Sequence, residues 1–291
     1  MSYFECPKRL QTDGCRFVNR PGSIRDAPEA GIKECRECSL VVHDMDLRHL
    51  VAYESSSMRN WSSGYGLGTT KPSSDTSRRL NSVLDLSKEN QISKVLDFGC
   101  GEGSMLRELS KNFSVCGFEP DKQAREICAR SGFEVFSDYG DLQTNGTKFD
   151  LITLFHVVEH LYEPSNVLSQ LKSFLRPGGL LVIETPNSMD ALLTLFESEA
   201  FQNFTYWSHH PMLYSPTALG HLVSRSGFEV VKNICVQRYS LANHLYWLSK
   251  SRPGGHEIWQ EMFSDQASEE YANCLIDREI SDTLWLVAIS N

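Results

Sequence analysis

The sequence predicts an α/β fold, in which a mostly parallel sheet carries helices on both faces. Two features of the 291-residue chain support this prediction. The stretch KVLDFGCGEGSM at 94–105 has the pattern of a buried strand, a glycine-rich turn and the start of a helix. After it, apolar runs typical of strands alternate with helical patterns as far as TLWLVAIS at 283–290. Such alternation is typical of parallel strands joined by crossover helices.

The glycine-rich turn predicts a cofactor site. Gly99, Gly101 and Gly103 permit backbone angles and close approaches that side chains forbid. The helix that follows points its N–H groups back at the turn. The spacing is G-x-G-x-G, whereas a dinucleotide site has G-x-G-x-x-G. Asp97 and Glu102 would repel a pyrophosphate but suit a ligand that carries ammonium and sulfonium groups, so a nicotinamide-dependent dehydrogenase is the weaker alternative.

The turn resembles the first motif of class I S-adenosylmethionine-dependent methyltransferases. Later segments follow in the order found in that family, and the resemblance covers about 95–231. In chain order the matching segments are FSVCGFEP at 113–120, FEVF at 133–136, FDLITLFHVVEHL at 149–161 and LKSFLRPGGLLVIETPN at 171–187, the last with a helix, the turn RPGG and a fifth strand.

The resemblance implies a Rossmann-like sheet of seven strands, six parallel and the last antiparallel beside the sixth. It implies S-adenosylmethionine as cofactor, with Glu119 on the ribose hydroxyls and an aspartate on the adenine amino group. Asp138 and Asp141 both fit the aspartate's role, and Asp141 is our candidate. The candidate cofactor residues are Asp97, Gly99, Gly101, Glu119, Pro120, Asp141, Phe155 and His156.

Cysteines near the start of the chain predict a small metal-binding head. Cys35 and Cys38 form a C-x-x-C pair that looks like the second knuckle of a zinc ribbon. Cys6 and Cys15 are the candidates for the first knuckle, although eight residues separate them. We therefore expect a structural zinc ion on these four cysteines. The alternatives are free thiols or a site completed by His43.

Composition shifts divide the chain into three predicted parts. These are a zinc-ribbon-like head at 1–46, a helical connector over the cofactor at 47–92, and a methyltransferase domain at 93–291 with helical lid insertions at 188–216 and 237–282. In the connector we predict helices at 47–57 and 75–87. Arg78 and Arg79 on the second helix fit a carboxylate or phosphate of the cofactor or substrate, or else face the solvent.

The stretch from His156 to His160 matches the metalloprotease pattern H-x-x-E-H. We reject that function because the pattern needs a long helix, and here it follows a strand-like run. The methyltransferase resemblance instead places these residues near the reacting methyl group. His156 and His160 are candidate catalytic residues, and Glu159 is a candidate substrate residue. A divalent ion at Glu159 and His160, or a structural role for His160, remains open.

The two lid insertions are expected to form the substrate wall, because loops after the carboxyl ends of strands build the ligand crevice in such sheets. His210 is the candidate general base, since an imidazole near its usual pKa can take a proton from a hydroxyl or amine. A structural role for His210 is the alternative. The other candidate substrate residues are Tyr206, His209, Arg238, Tyr239 and His244.

Charge and composition limit the partners. The net charge of −9 argues against nucleic acid. With no spanning apolar run and no signal peptide, we expect a cytoplasmic protein without a membrane partner. We predict methyl transfer to a small-molecule substrate, with a hydroxyl of a nucleotide-linked sugar or polysaccharide precursor as the leading acceptor. Carbon or nitrogen transfer, and a non-catalytic S-adenosylmethionine-binding protein, are the alternatives; the oligomeric state stays open.

Overall fold

The computed structural model describes residues 16–45 and 73–291. In chain order its strands are β1 (Phe17–Asn19), β2 (Gly31–Cys35), β3 (Val41–Asp44), β4 (Lys94–Phe98), β5 (Ser114–Phe118), β6 (Val135–Phe136), β7 (Phe149–Phe155), β8 (Leu175–Pro186), β9 (Met212–Leu213), β10 (Phe228–Val236) and β11 (Thr283–Ser290). Its α-helices are α1 (Ser74–Glu89), α2 (Ser104–Leu109), α3 (Lys122–Arg130), α4 (Tyr139–Asn145), α5 (Pro164–Lys172), α6 (Ala191–Thr194), α7 (Glu199–Thr205), α8 (Pro216–Arg225), α9 (Leu241–Lys250), α10 (Gly255–Ile258) and α11 (Asp265–Asp277).

The main sheet has seven strands in the order β10-β11-β8-β7-β4-β5-β6. The central strand β4 pairs in parallel with β5 and with β7. The sheet is mostly parallel with one antiparallel strand, which confirms the predicted Rossmann-like fold class. The final strand β11 lies beside β10, the sixth strand, as expected.

Two compact units make up the chain. The glycine-loop unit contains Arg48–Phe155, Ser169–Val182 and Ile289–Asn291, and the histidine unit contains Met1–Leu47, His156–Leu168 and Ile183–Ala288.

In the glycine-loop unit, β4 is buried because its apolar residues continue on both faces. Val95, Leu96 and Phe98 are each at most 4% exposed. A strand buried on both faces reads as a nearly continuous apolar run, which is the pattern the sequence shows here. The loop after β4 therefore lies at the carboxyl end of a central strand.

Helix α1 covers the second helix predicted in the connector. Ser73 caps it, since the Ser73 side chain accepts a hydrogen bond from the Thr76 amide. The predicted helix at 47–57 lies outside the described residues.

The histidine unit contains a second sheet of four strands, β1-β2-β3-β9. Strand β3 pairs antiparallel with β9, so that Val41 lies opposite Leu213. The apolar core beneath this sheet combines residues of the N-terminal segment with residues of the first insertion: Ile24, Ile32, Val41, Leu193, Tyr206 and Leu213. The head and the first insertion therefore share one core, a pairing that the sequence did not indicate.

One local prediction was wrong. The RPGG stretch, expected as a turn before the fifth strand, belongs to β8, where Gly178 absorbs the local change of direction at a φ of 74°. In the first lid insertion, the stretch DALLTLFESEAF forms two helices, α6 and α7. Glu197 takes a φ of 45° between them, and the side chain of Ser198 caps α7 through the Phe201 amide.

Within the described residues, no helix combines the length and the apolar character needed to cross a membrane.

Candidate functional site

The glycine loop of the glycine-loop unit has the backbone conformation that the sequence predicted. Gly99, Gly101 and Gly103 have φ values of 78°, 55° and 78°, in the left-handed region that favours glycine. A Cβ on Gly103 would lie 2.9 Å from the Cys128 sulfur. The Gly99 amide donates to the Phe118 carbonyl at 2.7 Å, which ties the loop to the end of β5.

Asp97 places a buried carboxyl beneath this loop. It is 3% exposed, and its Oδ1 accepts a hydrogen bond from the Thr153 hydroxyl at 2.7 Å. Burial raises the pKa of Asp97 to about 6; the nearby Glu119 also raises it, while Thr153 and Arg79 lower it. A cation bound here would favour the ionised carboxylate. Thr153 was not a predicted site residue, and nothing in the run LITLF marked it as a partner of Asp97.

Glu119 follows β5 and is completely buried. Its Oε2 accepts from the Gly101 amide at 2.8 Å, and its Oε1 accepts from the Asp121 amide at 3.0 Å. Each carboxylate oxygen can accept more than one hydrogen bond, and the contact of Glu119 with the two ribose hydroxyls stays a prediction. Pro120, next in the chain, contacts Arg125 through its carbonyl.

The two aspartates proposed for the adenine have different surroundings. Asp138 caps α4, and its carboxylate accepts from the Asp141 amide at 3.0 Å. That backbone hydrogen bond lowers the pKa of Asp138. Asp141 lies exposed in the first turn of α4. The Asp138 side chain is occupied as the helix cap. The contact of Asp141 with the adenine stays a prediction.

Aromatic rings accompany these acids. Phe98 and Phe118 stack with ring centroids 4.4 Å apart, and Tyr139 lies 5.2 Å from Phe118. On α1, the Arg79 guanidinium lies 5.0 Å from the ring of Phe155, the candidate residue that ends β7. Flat apolar surfaces and a cation beside two acids suit a ligand with an aromatic base and an amino-acid part.

In the histidine unit, His156 is held by two carboxylates. Its Nδ1 lies 3.1 Å from Glu159 Oε1, and its Nε2 lies 3.4 Å from Glu184 Oε1. Burial alone lowers the pKa of His156, but the hydrogen bonds with Glu159 and Glu184 raise it overall. Its φ of 56° is strained for a non-glycine residue. With both ring nitrogens engaged, His156 suits a positioning role better than proton abstraction.

Glu159 is a buried carboxylate that these neighbours keep ionised. It is 0% exposed, and its Oε2 accepts from the Thr185 hydroxyl at 2.9 Å. Burial alone raises the pKa of Glu159. The hydrogen bond from His156 and the nearby His160 and His210 more than reverse this effect, and the pKa falls to about 2.

Three histidines of this unit share one arrangement, in which Nδ1 contacts a backbone carbonyl of residues 205–209. The pairs are His43 with Trp207 at 3.1 Å, His160 with His209 at 2.6 Å, and His210 with Thr205 at 3.1 Å. A carbonyl only accepts, so these contacts place the proton on Nδ1 and the lone pair on Nε2. His43 was proposed only for the zinc site, and no sequence signal linked it to this segment.

His210 and His160 lie side by side, with ring centroids 4.8 Å apart. Burial lowers the pKa of His210 to about 3, His160 lowers it further, and Glu159 opposes the shift. His210 is therefore neutral at physiological pH, and the near-usual pKa expected for it from the sequence was wrong because the side chain is buried. One ligand atom each from Glu159, His160 and His210 lie within 4.8 Å of one another. Two imidazoles and a carboxylate are also a donor set that can hold a divalent transition metal.

The other candidate substrate residues divide into buried and accessible groups. His244 is 1% exposed, with Nδ1 2.8 Å from the Tyr271 hydroxyl and Nε2 3.2 Å from Gln237 Nε2, so its ring is engaged internally. Tyr206 is fully buried, and its ring meets His43 edge-on at 5.7 Å. These positions do not favour direct substrate contact.

Arg238, Tyr239 and His209 are partly accessible. Asp282 holds the first two, because its carboxylate accepts from the Arg238 side chain at 3.2 Å and from the Tyr239 amide at 3.0 Å. Arg238 Nη1 also lies 3.2 Å from His156 Nε2. The ring of His209 lies 4.7 Å from that of Trp207. Their substrate roles stay predictions.

The C-x-x-C pair lies at the tight turn between β2 and β3. Cys35 and Cys38 are both buried, and the Ser39 amide donates to the Cys35 carbonyl at 2.8 Å. Ser39, the residue after Cys38, has a φ of 52°, in the left-handed region. Cys6 and Cys15 lie outside the described residues. The structural zinc ion therefore stays a prediction.

Comparison with known families decides the class of protein. The family model described as a methyltransferase domain matches residues 74–233, more than half of the chain. The chain belongs to this methyltransferase family. This confirms the predicted enzyme class and supports S-adenosylmethionine as its cofactor.

Curated relatives are ubiquinone biosynthesis O-methyltransferases. The chain is 27% identical to that of Histophilus somni over 176 residues, which is 54% of this chain and 73% of the relative. It is 33% identical to that of Actinobacillus pleuropneumoniae over 107 residues, or 32% of this chain and 46% of the relative. The match to that of Salmonella newport is 26% over 157 residues, or 50% and 64%. The chain thus spans less than two thirds of the last two.

Solved structures that match the chain include an S-adenosylmethionine-dependent methyltransferase from Archaeoglobus fulgidus, at a TM-score of 0.48 and 20% identity, covering 73% of this chain and 91% of that one. Another is a possible histamine N-methyltransferase from Thermotoga maritima, at a TM-score of 0.48 and 18% identity, covering 75% and 89%.

Proposed function

We propose that the protein transfers a methyl group from S-adenosylmethionine to a hydroxyl oxygen of a small molecule, with His210 as proton acceptor. The observation that carries this proposal is the state of His210. Its Nδ1 is bound to the Thr205 carbonyl, its Nε2 carries a lone pair, and Glu159 is ionised beside it.

The glycine-loop unit fits the cofactor on three counts. Asp97 is a buried carboxyl whose pKa is raised by burial, so a bound cation would stabilise its ionised form. Glu119 is a buried acceptor at the end of β5, and the glycines allow close backbone approach. Asp97, Glu119, Asp141, the glycine loop and Phe155 would hold the methionine, ribose and adenine parts. When bound, S-adenosylmethionine supplies an already activated methyl group, so the protein need only align the acceptor and remove a proton.

The chain's own residues then manage the proton. His210 accepts it at Nε2, and the imidazolium that forms is stabilised by the Glu159 carboxylate. His156 and Thr185 hold the Glu159 oxygens, so this carboxylate does not need to reorient as charge develops. His160 orients the same cluster through its contact with the His209 carbonyl.

Oxygen is favoured as the methylated atom because the curated relatives are named O-methyltransferases. Those relatives give no support to the nucleotide-linked sugar expected from the sequence. The proposed acceptor is therefore a hydroxyl group, and the assay below determines which kind of molecule carries it.

A second candidate is metal-assisted transfer, favoured by the approach of Glu159, His160 and His210. A divalent cation on these groups would lower the pKa of an acceptor hydroxyl and replace His210 as the device that yields an alkoxide. The two candidates differ in one outcome. Chelation with EDTA leaves the rate unchanged if His210 is the base, and abolishes it reversibly if a metal is required.

The test is transfer of labelled methyl from S-adenosylmethionine to a panel of phenols, catechols, simple sugars and nucleotide sugars. We expect an O-methylated product, and we expect His210→Gln to lower kcat by about 100-fold or more with little change in cofactor affinity. Wild-type levels of kcat in His210→Gln, or product methylated at carbon, would overturn the assignment. Asn203→Ala, a variant outside the histidine cluster, serves as the matched control.

A further inference from the structure

Residues Arg25 and Asp26 of the N-terminal segment hold the turn that precedes His210. The Arg25 amide donates to the Tyr206 carbonyl at 3.1 Å, and its guanidinium lies 4.5 Å from the centre of the Trp207 ring. The Asp26 carboxylate accepts from the Ser208 amide at 2.9 Å and from the Ser208 hydroxyl at 2.6 Å. Three successive residues of the turn are thus fixed by two residues of the head.

The same turn supplies the carbonyls that orient the imidazoles. The Trp207 and His209 carbonyls, on either side of Ser208, contact Nδ1 of His43 and of His160. The turn is closed by the His210 amide, which donates to the Trp207 carbonyl at 2.8 Å. A shift of Ser208 would therefore move carbonyls that fix the tautomer and direction of the rings.

Asp26 makes the contact most able to resist such a shift. Charge-assisted hydrogen bonds to a carboxylate are stronger than neutral ones, and Asp26 receives two from one residue. Although partial burial raises the pKa of Asp26, the Ser208 hydrogen bonds outweigh it and lower the pKa overall, so the carboxylate is ionised at neutral pH. Electrostatic interaction with Asp26 also reaches His43 and His209.

We propose that Asp26 is a positioning residue for the methyl-transfer reaction. By fixing Ser208 it holds the neighbouring Trp207 and His209 carbonyls, which keep His43 and His160 in the tautomer with the proton on Nδ1, and it holds the turn that the His210 amide closes. This inference rests on the proposed function for the role of His210. It gives the N-terminal head a task in catalysis that is separate from any zinc ion.

The experiment compares Asp26→Ala with Glu29→Ala, which removes a second exposed acid from the same segment. Three quantities are measured on the full chain: kcat and KM, the Kd for S-adenosylhomocysteine by calorimetry, and histidine tautomers by two-bond ¹⁵N–¹H spectra of ¹⁵N-histidine-labelled protein. For Asp26→Ala we expect kcat to fall about 10- to 100-fold, because small misplacements of reacting groups have effects of this size. The Kd should stay within about twofold, and some imidazoles should shift to the tautomer with the proton on Nε2.

Glu29→Ala should match the wild type in all three quantities. If Asp26→Ala fails to fold, Ser208→Ala removes only the hydroxyl contact and should reproduce the tautomer shift at smaller amplitude. Wild-type kcat and wild-type tautomers in the folded variant would overturn the proposal. So would an equal loss of kcat in Glu29→Ala. If the wild type methylates no acceptor, the proposed function fails, and the tautomer spectra still decide whether Asp26 positions the histidines.

Discussion

Two buried carboxyl groups, one in each compact unit, have pKa values shifted in opposite directions. Asp97 of the glycine-loop unit is 3% exposed and Glu159 of the histidine unit is 0% exposed, so burial is nearly the same. Yet the pKa of Asp97 is raised to about 6, and that of Glu159 is lowered to about 2.

Neighbours explain the difference. Thr153 and Arg79 lower the pKa of Asp97 and Glu119 raises it, but the effect of burial is larger than any of these. Glu159 receives a hydrogen bond from His156 and lies near two further histidines. The histidine unit therefore contains a close counter-charge for Glu159 in His156, whereas in the glycine-loop unit the nearby Arg79 does not offset the burial of Asp97. This difference explains why the histidine unit suits proton transfer and the glycine-loop unit suits a cationic ligand.

The largest effect is expected from Glu159→Gln, which removes the counter-charge from the histidine unit. His156 would keep Glu184 but lose its closer partner, and an imidazolium at His210 would lose its stabilising carboxylate. Breaking one side of a buried ion pair costs about 3–5 kcal/mol in unfolding free energy. We expect that loss in urea denaturation and a fall in kcat of about 100-fold or more. A variant within about 1 kcal/mol of the wild type would contradict the ion-pair account.

The pH dependence of stability gives a check on the same group. The pKa of Glu159 is lower in the folded protein than its usual value of 4.5, so its contribution is present above pH 4.5 and is lost as pH falls towards 2. Glu159→Gln should therefore show a smaller loss of stability than the wild type across this window.

The next effect concerns Glu119→Ala in the other unit. The substitution removes the proposed ribose acceptor and the contacts to the Gly101 and Asp121 amides. Each lost hydrogen bond to a charged group is worth about 1.5–3 kcal/mol, so we expect the calorimetric Kd for S-adenosylhomocysteine to rise about 10- to 100-fold. Glu126→Ala, an exposed acid on α3, is the control. An unchanged Kd for Glu119→Ala would remove it from the cofactor site.

A smaller effect is expected from Asp97→Asn, which should raise the free energy of unfolding where Glu159→Gln lowers it. Between pH 3.8 and about 6 the folded protein binds more protons at Asp97 than the unfolded chain, so stability falls as pH rises through this window. Above this window, ionisation of the buried Asp97 lowers the free energy of unfolding by at most about 3 kcal/mol. Asparagine keeps an acceptor for Thr153 without the charge. We expect Asp97→Asn to unfold at higher urea at pH 7.5 while binding cofactor more weakly; lower stability would contradict the account.

The sequence predicted the parts of the molecule that depend on local patterns. The run TLWLVAIS has the same bounds as β11, and the G-x-G-x-G spacing identified glycines that all have positive φ. Apolar periodicity and glycine placement are properties of short segments, so they can be recognised in the sequence alone.

Long-range partners were not predictable in the same way. Val41 pairs with Leu213, and Thr153 donates to Asp97, although each partner is an ordinary residue of its own strand. His43 appeared in the sequence only as a possible zinc ligand, yet its Nδ1 contacts the Trp207 carbonyl. The proline and glycines of RPGG are typical of a turn, and they predicted one there, but these residues lie inside β8.

The most direct test of the central claim is calorimetric titration of S-adenosylmethionine into the wild type and Asp97→Asn from pH 5 to 7.5, in buffers of different ionisation enthalpy. If the acidic glycine loop recognises a cationic ligand, binding ionises Asp97. The wild-type Kd should then tighten as pH rises through about 6, with release of about half a proton per ligand near pH 6. Both effects should be absent in Asp97→Asn. A wild-type Kd that is independent of pH without proton release, or no binding at any pH, would contradict the account.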